Sequence, residues 1–116
     1  MQNRFKFRVW KGQENRMVYD VTYLNPLILD PAIKEENKHN ILMQCTGLKD
    51  KNGKLIYEGD ICKYKFEEIG EQKAIIYFNK ELCSFLAKPL NDFQYTKINN
   101  CEVIGNIYLD SHLLEN

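Results

Sequence analysis

Two carboxylates separated by one glycine, Glu58 and Asp60, are the residues in this sequence best placed to do chemistry. In an extended segment, side chains two apart project to the same side. A pair of general acids or metal ligands would be arranged that way, and a metal-dependent hydrolase is the activity it would serve. A tight turn explains the same residues without any chemistry. Gly59 supplies backbone freedom, and an aspartate accepts backbone N–H bonds. No histidine or third carboxylate joins the pair at useful spacing. Asp50 could approach in space, but Asp50-Lys51-Asn52-Gly53 is itself a strong turn signal, because Asn and Gly tolerate positive φ. Asp50, Asn52, Gly53, Glu58, Gly59 and Asp60 are therefore read as structural turn residues.

Four cysteines invite a metal or redox reading. Cys45, Cys62, Cys83 and Cys101 contain no C-x-x-C pair, and zinc ribbons need such pairs because one turn supplies two thiolates to one tetrahedron. Each cysteine sits in an apolar stretch, so all four are read as buried small hydrophobes. Thr46, Ser84 and Ser111 lack the glycine-rich turn of a nucleophile elbow. His39 and His112 stand in polar surroundings, as surface histidines do, and there is no dinucleotide fingerprint or Walker-type loop. The expectation is no catalytic residue, no metal and no cofactor.

One local charge excess remains. Arg4, Lys6 and Arg8 alternate along one face of the first strand, with Lys11 and Arg16 across the following turn and Glu14 as the lone acid. With Trp10 beside them, they could contact phosphates while the indole offers a stacking platform, as in a nucleic-acid-binding module. Tyr57, Tyr64, Tyr77 and Tyr95 could add stacking surface. The plain alternative is the solvated face of an edge strand, where Lys and Arg discourage aggregation. The chain carries 16 basic and 16 acidic residues, and this balance weighs against nucleic acid.

These residues must be positioned by a chain of 116 residues, 44% apolar and 28% charged, which fits one domain with a real core. No apolar run is long enough to span a membrane, and the N-terminus has no signal-peptide core, so no membrane role and a cytoplasmic location are expected. Arg4–Trp10 and Met17–Tyr23 alternate with period two and form a hairpin. Residues 24–40 form a connector, in which Pro26 and Pro31 limit regular structure and Ala32–Lys38 could form a short surface helix. Further strands are expected at Ile41–Thr46, Lys54–Tyr57, Ile61–Phe66, Gln72–Phe78, Leu82–Lys88 and Cys101–Tyr108. Gly105 marks a bulge or close approach, and Asp110–Leu114 can close one helical turn capped by Asp110 or Ser111. The pattern predicts a mainly β fold: a small SH3-like or partly open β-barrel over 41–116 with an added N-terminal hairpin over 1–23 and little helix.

The segment Leu42-Met-Gln-Cys-Thr-Gly-Leu-Lys-Asp-Lys-Asn-Gly-Lys-Leu-Ile-Tyr-Glu-Gly-Asp-Ile61 resembles the signature of the YopX family. So do Lys6-Phe-Arg-Val-Trp10 and Glu102-Val-Ile-Gly-Asn-Ile-Tyr108. The three motifs fall in order and span nearly the whole chain. The family is carried by bacteriophages and prophages, mostly of low-GC Gram-positive bacteria, so the resemblance implies a setting rather than an activity. Where Cys45 stands the family usually has an aromatic residue, and where Cys62 stands usually valine; hydrophobes in place of cysteine fit packing rather than ligation. The combined expectation is a non-enzymatic phage accessory protein that binds a host or phage protein. Open strand edges leave self-association open, and nucleic acid is the alternative partner.

Overall fold

A computed structural model describes residues 6–21, 39–66, 70–90 and 95–115. Arg4 and the connector segment expected to carry the short helix lie outside the described residues. Eight strands are described: β1 (Phe7–Lys11), β2 (Arg16–Val21), β3 (Asn40–Lys49), β4 (Leu55–Tyr57), β5 (Asp60–Phe66), β6 (Gly70–Asn79), β7 (Ser84–Pro89) and β8 (Cys101–Asn106). A 3-10 turn follows at Ser111–Leu114. Among the described residues the fold is mainly β with almost no helix, as the alternation predicts. Among the described residues no helix is long and apolar enough to cross a membrane.

The strands form two four-stranded sheets, ordered β2-β1-β3-β4 and β7-β6-β5-β8. Every strand pair is antiparallel. The N-terminal hairpin adds to the edge of β3, with Val9 opposite Leu42 and Trp10 opposite Ile41. Pairing between β3 and β4 shifts register between Cys45 and Lys49, and the first sheet curls into a half-barrel. Such a register shift lets a twisted strand bend.

The core lies on one face of the second sheet. Cys62 and Tyr64 of β5, Ala74 and Ile76 of β6, Ala87 of β7 and Cys101 of β8 pack there, and Ile56 of β4 joins them from the first sheet. Gly105 is the close approach its position suggests: a Cβ there would lie 2.7 Å from Asp110 Oδ2. The β5–β8 register also slips beside it. Asp110 opens the 3-10 turn without capping it, because its carboxylate accepts the Asn106 N–H instead.

Two expectations about burial need correction. Cys45, Cys62 and Cys101 are buried, but Cys83 is exposed. The turn after β6 runs on through Cys83, whose φ of 49° places it in the left-handed region, so β7 starts at Ser84 rather than Leu82. The second correction concerns β1. The face carrying Arg8 and Trp10 is buried, not solvated, because it meets the Glu58–Asp60 turn and Tyr108.

Candidate functional site

The motif from Leu42 to Lys63 gives each of its three carboxylates a different set of partners. Asp50 opens the first turn. Its Oδ1 accepts the N–H groups of Asn52 and Lys54, both at 2.9 Å, and its Oδ2 accepts that of Val103 at 2.9 Å. One carboxylate thus closes its own turn and ties it to β8, where Lys51 N–H also meets the Cys101 carbonyl. Burial pushes the Asp50 carboxyl up, but the three N–H donors outweigh it and hold the group below its ordinary value. Gly53 closes the turn with φ of 85°.

Glu58 and Asp60 do not act as a pair. Gly59 between them has φ of 85°, so the segment turns instead of running extended. Glu58 Oε1 accepts the Gln44 N–H at 2.9 Å, fastening the turn to β3. Asp60 faces Arg8, with Oδ1 2.9 Å from Nη2, while its Oδ2 accepts the Tyr57 N–H at 2.8 Å. The side-by-side projection expected of an extended segment is therefore absent. Among the described residues no group of three His, Cys, Asp or Glu is arranged to hold a metal ion.

Arg8 is the centre of this junction and is 2% exposed. Its Nη2 also donates to the Glu58 carbonyl at 2.9 Å, and Nη1 reaches the Tyr19 hydroxyl at 3.5 Å. The guanidinium lies 4.9 Å from the centre of the Tyr57 ring and 5.8 Å from that of Tyr19, and the two rings meet edge to face. Planar, weakly hydrated guanidinium suits such a cage better than ammonium would. Burial pushes the Asp60 carboxyl above its ordinary value, and Arg8 and the Tyr57 N–H only partly draw it back. The junction joins β1 to the β4–β5 turn and so fixes the two sheets to one another.

The remaining candidates are dispersed. Trp10 is buried and stacks on Tyr108, with ring centres 5.4 Å apart. Lys6 is half-buried, and the continuous basic stripe expected through Arg8 does not exist. Tyr57 and Tyr64 are buried and offer no stacking surface, whereas Tyr95 is exposed. The Cys62 thiol is held far above its ordinary value, first by its hydrogen bond to Cys101 and then by burial. Burial likewise raises Cys45. His39 and His112 are exposed.

Residues not singled out from the sequence form an apolar surface at one end of the second sheet, while Leu48, Tyr95 and Leu109 are exposed elsewhere. β5 keeps pace with β6 only to Ile75, opposite Ile61, and a last bond runs from Gly59 N–H to the Ile76 carbonyl. Beyond that point β6 continues to Asn79 with only β7 beside it. Ala74 and Ile76 point into the core, so by alternation Phe78 continues the same face. Its cross-strand partner Phe85 packs edge-on at 5.1 Å. The core face thus overhangs the core: Phe78 is 41% exposed, and Leu82 at the turn is 50% exposed. The turn is held by its own bonds, from Leu82 N–H to Asn79 Oδ1 and from Ser84 Oγ to the Leu82 carbonyl. Period-two alternation hides this feature, because it marks a face without showing where the covering layer stops.

Comparison with known proteins places the chain. A family model described as "YopX protein" matches residues 23–115. The crystal structure of protein EF1440 from Enterococcus faecalis is similar, with a TM-score of 0.68 and 26% identity over 95% of this chain and 97% of that one. No curated protein matches the chain.

Proposed function

This chain belongs to the YopX family, and from that premise we propose that it is a non-enzymatic phage or prophage accessory protein that docks on another protein, of host or phage, in the bacterial cytoplasm. The observation that carries this reading is the apolar overhang of β6 and β7. Phe78 and Leu82 are exposed beside Phe85 on a turn braced by its own hydrogen bonds. Large apolar side chains held rigid before contact lose little entropy on binding, which favours association. The carboxylates that a hydrolase would use are engaged in holding turns. A nucleic-acid surface along β1 loses its central cation, because Arg8 is enclosed with Asp60.

The test is affinity purification of the tagged chain from prophage-induced or phage-infected cells, with and without nuclease. Wild type and a Phe78→Lys/Leu82→Lys variant are compared, after circular dichroism shows that both are folded. The expected result is a protein retained through nuclease treatment by wild type and lost by the variant. If light scattering shows a mass above one chain that falls in the variant, the partner is a second copy. Equal retention by both proteins, or capture abolished by nuclease, would overturn the reading.

A further inference from the structure

We propose that Asn52 and Gly53, at the tip of the β3–β4 turn, are a site of spontaneous covalent modification. Asn52 deamidates there to aspartate and isoaspartate, at a rate set by Asp50, and the isoaspartate form loosens the turn from β8. The site is independent of the overhang on β6 and β7. Asn52-Gly53 is the sole Asn-Gly pair in the chain. Glycine carries no Cβ to shield its nitrogen from the amide carbon of the residue before it.

The turn leaves the pair open to solvent. Both residues are exposed, and a Cβ built at Gly53 would meet nothing within 4 Å, so a ring has room to form. The Asn52 side chain makes no hydrogen bond among the described residues. By contrast, the amide oxygen of Asn79 accepts the Leu82 N–H, and that of Asn106 accepts those of Tyr108 and Leu109. Lys51 and Lys54 flank the pair and are exposed, placing positive charge beside the nitrogen that must lose its proton.

The reaction needs only water and hydroxide. The Gly53 amide gives its proton to hydroxide, and its nitrogen attacks Asn52 Cγ. As that bond forms, the Cγ–Nδ2 bond breaks, and ammonia leaves with a proton from water. The product is a five-membered succinimide. Water opening it at Cγ gives aspartate on an unchanged backbone. Opening at the former main-chain carbonyl gives isoaspartate, whose backbone runs through Cβ and Cγ. Nothing is oxidised or reduced.

Asp50 holds the reacting groups back. The Gly53 N–H donates to the Asp50 carbonyl at 3.0 Å, and the Asp50 carboxylate accepts the Asn52 and Lys54 N–H groups on either side. The nitrogen is free to attack only when this turn opens. Isoaspartate adds one backbone atom inside the loop that the Asp50 N–H closes on the Lys54 carbonyl at 2.8 Å. The same turn carries the bond from Lys51 N–H to the Cys101 carbonyl and the carboxylate that accepts the Val103 N–H, so its distortion reaches β8.

The full chain is incubated in mildly alkaline buffer, and peptides covering residue 52 are followed by mass spectrometry after chromatography separates aspartate from isoaspartate. Folded wild type is expected to accumulate both products, more slowly than the urea-unfolded chain. Asp50→Ala, shown folded by circular dichroism, should convert about fivefold faster, the factor for one lost hydrogen bond. Asp50→Asn keeps one acceptor oxygen and should fall between, and so tests the same gate if the alanine variant does not fold. The isoaspartate form should melt about 5 °C below the aspartate form, the shift for a lost turn hydrogen bond in a domain of this size. No conversion at Asn52 in the folded chain, while the unfolded chain converts, would overturn the proposal. So would aspartate without isoaspartate, equal rates in wild type and both Asp50 variants, or two product forms that melt together.

Discussion

The Arg8–Asp60 junction and the β6–β7 overhang invert the ordinary partition of residues in opposite ways. At the junction a guanidinium and a carboxylate are enclosed almost completely; at the overhang phenyl and isobutyl groups stand in water. Burying the ion pair costs desolvation that its attraction offsets only with good geometry and further hydrogen bonds. Here the Glu58 carbonyl, the Tyr57 N–H and two tyrosine rings provide that complement. Among the described residues no comparable cover lies over Phe78, which is 41% exposed and stands beyond the last β5–β6 pair, Ile61 with Ile75. The first inversion is resolved inside the molecule except at the buried Arg8 Nε, which meets no acceptor among the described residues, and the second leaves exposed surface that association would cover.

The largest test of this contrast is truncation at the junction. Arg8→Ala or Asp60→Ala leaves the other charge buried and unpaired, and should destabilise the chain by about 3–5 kcal/mol in urea denaturation. Loss of less than about 1 kcal/mol would mean that the pair is better hydrated than its burial implies. Asp50→Ala comes next: three backbone donors lose one carboxylate, for an expected cost of about 2 kcal/mol by the same measurement.

pH separates the two carboxylates by sign. Asp50 is depressed in the folded state, so the stability it contributes is present above its ordinary value near 3.8 and is lost as pH falls through the lower folded value. Asp60 is raised, so its contribution is present below its ordinary value and is lost as pH rises through the higher folded value. Relative to wild type, Asp50→Asn should therefore flatten the loss of stability in acid. Asp60→Asn should remove a decline that wild type shows as pH increases from about 4. Denaturation curves from pH 2.5 to 7, to about half-unit spacing, would reveal both; parallel profiles for the two variants would contradict the assignment.

Smaller effects sharpen the comparison. Gly59→Ala should cost about 1–2 kcal/mol, since an alanine would take up a left-handed φ with its Cβ 3.0 Å from Met43 Sδ. Gly53 has the same φ but open space around it, so Gly53→Ala should cost less, about 1 kcal/mol. Thermal melts of the two variants side by side separate strain from crowding. Smallest of all, Phe78→Lys/Leu82→Lys should change stability by no more than about 0.5 kcal/mol while abolishing partner capture. A large loss of stability there would make the overhang part of the core.

Much of this fold is legible from residue order. Alternation locates the strands, Asp50-Lys51-Asn52-Gly53 and Glu58-Gly59-Asp60 mark turns, and Gly105 marks the close approach to Asp110. Arg8 is not legible, because alternation assigns it to the polar face and only tertiary structure reveals an acid 2.9 Å away on that face. Cys83 misleads because Leu-Cys-Ser-Phe-Leu reads as a continuous apolar strand, whereas the chain uses its first two residues to finish a turn. Phe78 and Phe85 fall within expected strands, and they lie on the core face. Their exposure depends on the length of β5 relative to β6, a quantity that no local pattern encodes.

The enclosure of Arg8 also constrains the order of events during synthesis. Fifty-two positions separate Arg8 from Asp60. At bacterial elongation rates the guanidinium waits roughly 3–10 s for its carboxylate to be made. Throughout that interval β1 can pair with β2, but its inward face must remain hydrated. The inward face of the hairpin thus stays wet because of its own charge until the turn that covers it has been made.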